Sequence, residues 1–434
     1  MNRVLQVAYR AAGQIARAVA AMTPGGEGRH TVARSLRARR GIRERYAAWA
    51  PQRDTARPLL WIHAPSVGEG LQARVVLEQL RAQHPEVQLA YTFFSPSAEG
   101  FARSLEVDFA DYLPFDTLGD AESALDALRP SALLFSKLDV WPTLCAEAHR
   151  RGVPLGMISA TLAATSSRRG SLAAGLLRDA YAVLDAVGAV APEDAARLAA
   201  LGVRAECLRV TGDTRFDQVL ARAARARLVS PLLAPLSSTR PTLVAGSTWP
   251  PDEEVLHGTW RAIRAEMPDA RLVIAPHEPT EPHLKAIEAW ATHLSARVAR
   301  LSSADASTDV VLVDRVGVLG DLYALADVAF VGGGFHHAGL HSVLEPAAYG
   351  VPVAFGPRHQ GSREAGLLIK ANGADAIGSS DELTETLMHW FSDPAEGKRA
   401  GANARAFVEG GAGATERSVA LALELIARAP APTA

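Results

Sequence analysis

Residues 326–357 read ADVAFVGGGFHHAGLHSVLEPAAYGVPVAFGP, and the rest of the chain is arranged around that stretch. Ala329, Phe330 and Val331 form an apolar run that predicts a strand. Gly332, Gly333 and Gly334 free the backbone where it must approach a ligand closely. Ser342 and Glu345 follow in an S-x-x-E pattern, which marks a helix N-terminus. Gly350 ends that helix, and Val351 to Phe355 begins the next strand. A glycine turn between strand and helix aims unpaired N–H groups and a positive dipole end at one point, which suits a phosphate. The competing reading is an ordinary turn in which Glu345 closes a capping box. The order GGGFHHAG is not the G-x-G-x-x-G of dinucleotide-binding turns.

Strand-length apolar runs recur on both sides. Before the stretch stand Leu59–His63, Gln88–Phe94, Tyr112–Phe115, Ala132–Phe135, Leu155–Ser159, Ala186–Ala191 and Cys207–Thr211, separated by helix-like segments such as Gly70–Gln83 and Trp141–Arg151. A second series runs Thr242–Ala245, Leu272–Ala275, Val310–Val313, Val328–Val331 and Val353–Phe355. Such alternation predicts parallel sheets covered on both faces. Leu228–Pro241 holds three prolines among polar residues and reads as a linker. The expected architecture is α/β, with two doubly wound Rossmann-like domains and ligands in an interdomain cleft at the carboxyl ends of the strands. Its expected parts are a basic amphipathic segment over 1–50, domains over 51–227 and 242–410, a linker over 228–241, and a final helix and tail over 411–434.

At 434 residues, 48% apolar and 21% charged, the chain can build two cores under an ordinary surface. A net charge of −2 argues against a dedicated nucleic-acid binder. The charge is uneven. Residues 1–60 carry twelve arginines against Glu27, Glu44 and Asp54, so +9, which leaves −11 for the remainder. Cys145 and Cys207 have neither pairing nor metal-site spacing, which fits a reducing cytosol. Arg3, Arg10 and Arg17 recur every seven residues within a largely apolar 2–22, so they share one helical face. That run is too interrupted to span a bilayer comfortably, which leaves a peripheral or an N-terminally anchored attachment open. It suits an interfacial helix on an anionic leaflet, or a helix packed on the domain. The basic segment Arg34–Arg45 favours the membrane, at about 1 kcal/mol per surface-near arginine.

Polar groups follow several strands. His63-Ala64-Pro65-Ser66-Val67-Gly68-Glu69 ends one strand and opens a helix, so Glu69 either caps that helix with Ser66 or faces the cleft as a general base. Ser136-Lys137-Leu138-Asp139 sets a cation beside an acid, suited to sugar hydroxyls or phosphates, or simply to an ion pair. Gly246-Ser247-Thr248 and Pro276-His277-Glu278 are polar turns after two strands of the second half. His336, His337 and His341 lack an adjacent Cys or Asp, so no metal is expected. No G-x-S-x-G elbow, Walker lysine loop or H-E-x-x-H is present.

Taken in order, these segments closely resemble the Kdo transferases of Gram-negative bacteria, GT-B type enzymes that move 3-deoxy-D-manno-octulosonic acid from CMP-Kdo to lipid A precursors. His63 to Glu69 is similar to the family's H-x-x-S-x-G-E, whose glutamate is the proposed base. Thr92 to Gly100 is similar to its T-x-x-S-x-x-G, and Tyr112 to Asp116 to its Y-x-P-x-D. Val210 to Asp217 resembles G-(N/D)-x-(K/R)-F-D, and Ala245 to Glu254 resembles the GST…EE segment. Ala326 to Pro357 resembles A-D-x-A-F-V-G-G…H-N-x-L-E-P-A…G-x-P-V-x-F-G-P. Three departures stand out. The family's E-x-E-x-W-P is here Lys137-Leu138-Asp139-Val140-Trp141-Pro142, its P-R-H is Pro276-His277-Glu278, and Ser342 replaces the asparagine of H-N-x-L-E.

The resemblance implies an inverting single displacement without a cofactor. Glu69 would be the base, and Ser66, Lys137 and Asp139 would bind the acceptor. Ser247, Thr248, His277, Glu278, Gly333, Gly334, His341, Ser342 and Glu345 would hold CMP-Kdo. Within that set, the glycine loop and helix N-terminus would take the leaving charge, and Glu345 the ribose hydroxyls. The implied partners are CMP-Kdo, a lipid A precursor and the anionic cytoplasmic face of the inner membrane, with no nucleic acid. The competing classes are another lipid-linked glycosyltransferase, a nucleotide-sugar 2-epimerase and a non-catalytic relative.

Overall fold

A computed structural model describes residues 3–22 and 31–429. Its strands form two seven-stranded sheets in which every pairing is parallel. The first contains β1 (Leu59–His63), β2 (Gln88–Phe93), β3 (Phe109–Tyr112), β4 (Ala132–Ser136), β5 (Leu155–Ala160), β6 (Ala186–Ala189) and β7 (Leu208–Val210), in the order β3-β2-β1-β4-β5-β6-β7. The second contains β8 (Thr242–Thr248), β9 (Arg271–Pro276), β10 (Val298–Arg300), β11 (Val310–Leu312), β12 (Val328–Val331), β13 (Val353–Phe355) and β14 (Ala374–Ala376), in the order β10-β11-β9-β8-β12-β13-β14. Helices cover both faces, so the inner strands are buried throughout and read as unbroken apolar runs.

The strand order reverses between β1 and β4 in one sheet and between β8 and β12 in the other. At such switch points the loops after adjacent strands diverge and leave room for a ligand. The inner strands and the edge strand β7 match the sequence reading to within a few residues, and the other three edges do not. β3 lies three residues before its expected start, because Asp111 interrupts its apolar pattern, and β10 and β14 were not expected at all. Short, partly polar strands are usual at sheet edges, where one side has no neighbour to pair with.

The chain folds into two compact units, Met1–Asp217 with Ala412–Ala434, and Gln218–Gly411. This redraws three expected boundaries. The break falls inside the helix Thr214–Val229, and not across 228–241, where Leu236 is buried. The closing helix Ala414–Ala427 belongs to the first unit, placing Val419, Leu421, Ala422 and Leu425 in its core. The basic stretch is largely spent inside that same unit. The buried Arg39 donates to the Leu113 and Phe94 carbonyls, Arg43 pairs with Asp120, Arg45 with Asp111, and Tyr46 donates to the Tyr112 carbonyl.

The helix Arg3–Met22 lies against the first unit. The Tyr9 hydroxyl donates to Asp116 at 2.7 Å, and Arg17 pairs with Asp120 at 3.0 Å. Arg17 therefore turns toward protein, while Ile15 is 64% exposed and Val19 41%. The side chains of Arg3 and Arg10 lie outside the described residues. Among the described residues no helix is long and apolar enough to cross a membrane.

Candidate active site

In the first unit the switch point brings together the ends of β1 and β4. β1 ends at His63, and Ser66 is the N-cap of the helix Val67–Gln83, which carries Glu69 in its first turn. The Ser66 side chain makes no cap hydrogen bond. Its hydroxyl donates instead to Glu69 Oε2, while Lys137 Nζ lies 3.2 Å from Oε1. The Ser136 hydroxyl donates to the Glu69 carbonyl at 3.1 Å, tying the two strand ends together. Burial pushes the Glu69 pKa up, but the Ser66 hydrogen bond and the Lys137 charge outweigh it and leave the carboxyl below its usual range. Glu69 is therefore ionised at neutral pH.

The neighbouring groups are aromatic. Trp141 stacks on Phe94 at 5.2 Å and meets His63 edge-on at 6.0 Å. Burial drives His63 down to about 3, so the ring is neutral, with Nδ1 3.0 Å from the Thr92 hydroxyl. His63 Nε2, Trp141 Nε1 and the Tyr91 hydroxyl are buried with no hydrogen-bond partner among the described residues. Asp139 pairs with Arg168, so each expected acceptor-side residue already has a partner within the unit. Asp116 accepts from Tyr9 and from the backbone N–H groups of Thr143 and Leu144, which fixes the helix that follows Trp141-Pro142.

In the second unit the switch point joins the ends of β8 and β12. Gly332 passes so close to the Ser247 carbonyl that a Cβ would collide with it, and Gly333 takes φ 91°, open to glycine. The turn's donors are partly used. Asp252 accepts from the Gly333 N–H at 2.7 Å and the Phe335 N–H at 3.0 Å. The expected helix is a single turn, Leu344–Ala347, whose N-cap is Val343. Ser342 and Glu345 thus form no capping box, and the helix is too short to carry an anion site by itself. Asp252, 81 residues before Gly333, had no signal beyond its place in the GST…EE segment.

Four rings line this end of the sheet. Trp249 stacks on His277 at 4.7 Å and on His336 at 4.3 Å, and His277 stacks on His341 at 4.4 Å. Burial, with His277 and His336 alongside, pushes His341 down to about 4, and its Nε2 accepts the Trp249 indole N–H at 3.1 Å. Among the described residues no group of His, Cys, Asp and Glu is placed to hold a metal. The Thr248 hydroxyl donates to Glu253 at 2.8 Å, and the His277 N–H donates to the Thr248 carbonyl at 2.9 Å. Glu345 is half-buried near Tyr323, and burial raises its pKa, with Asp321 adding to the rise and Arg222 opposing it.

Two doubly wound units with polar strand ends at both switch points define the GT-B class of fold. The solved structure of UDP-GlcNAc 2-epimerase from Neisseria meningitidis shares that fold, with TM-score 0.63 and 14% identity over 85% of this chain and all of that one. A family model described as 3-Deoxy-D-manno-octulosonic-acid transferase (kdotransferase) matches residues 40–218. The 3-deoxy-D-manno-octulosonic acid transferase of Bordetella pertussis is 31% identical over 373 residues, 83% of this chain and 86% of that protein. That of Haemophilus influenzae is 26% identical over 356 residues, 81% and 83% of the two chains. The chain belongs to the 3-deoxy-D-manno-octulosonic acid transferase family.

Proposed function

We propose that the protein is an inverting glycosyltransferase that moves Kdo from CMP-Kdo to a lipid A precursor, with Glu69 as general base. The observation that carries this reading is an ionised carboxylate held at a switch point, bonded to Ser66 and Lys137 and not spent on a helix cap. Glu69 takes the proton from the acceptor's primary hydroxyl as that oxygen attacks the anomeric carbon of Kdo. The bond from that carbon to the CMP phosphate oxygen breaks, and CMP leaves with the electron pair. One displacement inverts the carbon.

Ser66, Lys137 and Asp139 stand on the acceptor side. Ser247, Thr248, His277, Glu278, His341 and Ser342 stand on the donor side, and Glu345 accepts from the ribose hydroxyls. Because Asp252 holds the Gly333 N–H, Gly333 and Gly334 serve by close backbone approach, and the leaving charge falls to the Ser247 and Ser342 hydroxyls. The exposed Ile15 and Val19 give the first helix an apolar side for the cytoplasmic face of the inner membrane, a peripheral attachment that suits a lipid acceptor. Incubation with CMP-Kdo and a lipid A precursor tests the reading. The expected products are CMP and an acceptor heavier by one or more Kdo units. Absence of both, from folded protein, sinks it.

A further inference from the structure

We propose that Lys137 is a positioning residue for Glu69, holding the base ionised and in one rotamer without binding substrate itself. The inference rests on the reading of Glu69 as the base. Lys137 has φ 70°, a left-handed conformation that residues with side chains rarely adopt and that concentrates at functional sites. The strand end keeps it there from both sides. Its N–H donates to the Ile158 carbonyl at 2.9 Å, and Ser136 before it bonds the Glu69 carbonyl. The Leu138 carbonyl after it accepts from Tyr181 at 3.0 Å and Arg168 at 3.2 Å.

This held backbone delivers the ammonium to Oε1 while Ser66 occupies Oε2, so both oxygens of the base are fixed. An incidental surface pair requires no such backbone. Lys137 is 42% exposed and Glu69 18%, so the carboxylate is the more buried partner of the pair. The other groups around Glu69 are neutral at working pH. They are the Ser66 hydroxyl on its own helix and, from β2, the Tyr91 phenol, whose pKa burial and Glu69 raise. Arg74, further along the helix, lies over the Phe101 ring at 4.5 Å. Lys137 is therefore the cation that, after the Ser66 hydrogen bond, holds the Glu69 pKa down.

The test compares Lys137→Met, which keeps the stem and backbone, with Lys137→Glu and Lys137→Arg. Two readouts are followed against pH: kcat/KM for Kdo transfer, and the side-chain carboxyl carbon-13 resonance that disappears in Glu69→Gln. The acidic limb and the resonance midpoint should both move to higher pH in Lys137→Met, further in Lys137→Glu, and return in Lys137→Arg. A raised KM with an unmoved midpoint would make Lys137 a substrate-binding residue and overturn the proposal. A shifted midpoint in a protein that never transfers Kdo supports the pairing and removes the transferase reading. Transfer with an unmoved limb and midpoint removes the pairing alone.

Discussion

Glu69 stands where a capping glutamate and a catalytic base would both stand, and its carboxylate bonds the Ser66 hydroxyl and Lys137. The sequence placed it correctly because a strand end and a helix start are both local patterns; its partner Lys137 comes from 68 residues away, through the pairing of β1 with β4. Glu69→Gln keeps shape and hydrogen bonding but removes the basic carboxylate. Turnover should fall by about 10²–10⁴, the usual worth of a general base, with CMP affinity and melting temperature preserved. Steady-state kinetics beside CMP calorimetry check this, and near-normal turnover returns Glu69 to a structural role. Glu345 permits a cleaner separation than its S-x-x-E spacing suggested, since it caps nothing. Were it a cap, Glu345→Ala would cost roughly 0.5–2 kcal/mol of stability. The expected result is weakened CMP binding with little change in melting; unchanged CMP affinity discards the ribose contact.

The glycine turn and the first helix show how elements acquire partners that sequence does not reveal. Three glycines in a row announced a backbone close to a ligand; the close approaches in the structure are to the protein's own backbone at Ser247, Gly339 and Gly356. That Asp252 fills part of the turn was not legible, because it depends on β8 and β12 being neighbours. Asp252→Ala strands the buried Gly333 donor and releases Phe335, so the second unit should lose about 1–3 kcal/mol for each donor left unpaired. Urea unfolding measures it, and an unchanged midpoint would show that the turn stands without Asp252. For the first helix, heptad spacing put the arginines on one face but could not say which way that face turns. Arg17 meets Asp120, and the exposed side belongs to Ile15 and Val19. Ile15→Glu with Val19→Glu should reduce cosedimentation with anionic vesicles and leave the fold intact. Deleting residues 2–22 should also reduce cosedimentation while sparing activity on a detergent-dispersed acceptor, at some cost in stability from the lost Tyr9 and Arg17 bonds to Asp116 and Asp120. High salt should release the native protein only in part, because apolar burial is not screened. Undiminished vesicle binding by the double variant would rule out this face as the anchor.

Across the whole molecule, the two-unit architecture was legible and the path of the chain between units was not. Proline and serine made 228–241 look like a linker, yet the chain passes between units inside a regular helix. The amphipathic pattern of the last helix is the same whichever core it covers, so nothing local says that it returns to the first unit. The structure shows what brings it back. Asp217 accepts from the Gly413 N–H at 2.7 Å and from the Thr415 N–H and hydroxyl at 2.6 and 2.8 Å. Gly156 on β5 leaves the space that Leu425 fills, and Arg209 and Arg428 pair with Glu424. Ending the chain at Gly411 removes Val419, Leu421, Ala422 and Leu425 from the first core and leaves Asp217 without those donors. Loss of even one buried leucine side chain commonly costs about 2–5 kcal/mol, comparable to the 5–15 kcal/mol that holds a domain folded. The truncated protein should therefore lose amide protection across β1–β7 and keep it across β8–β14, whose unit spans only Gln218–Gly411. Asp217→Ala is the graded version and should lower protection in the same strands by about 1–3 kcal/mol. Hydrogen exchange read strand by strand decides the matter. Equal loss in both sheets would show that the units unfold together, and full protection of β1–β7 would show that the returning helix is incidental to the first core.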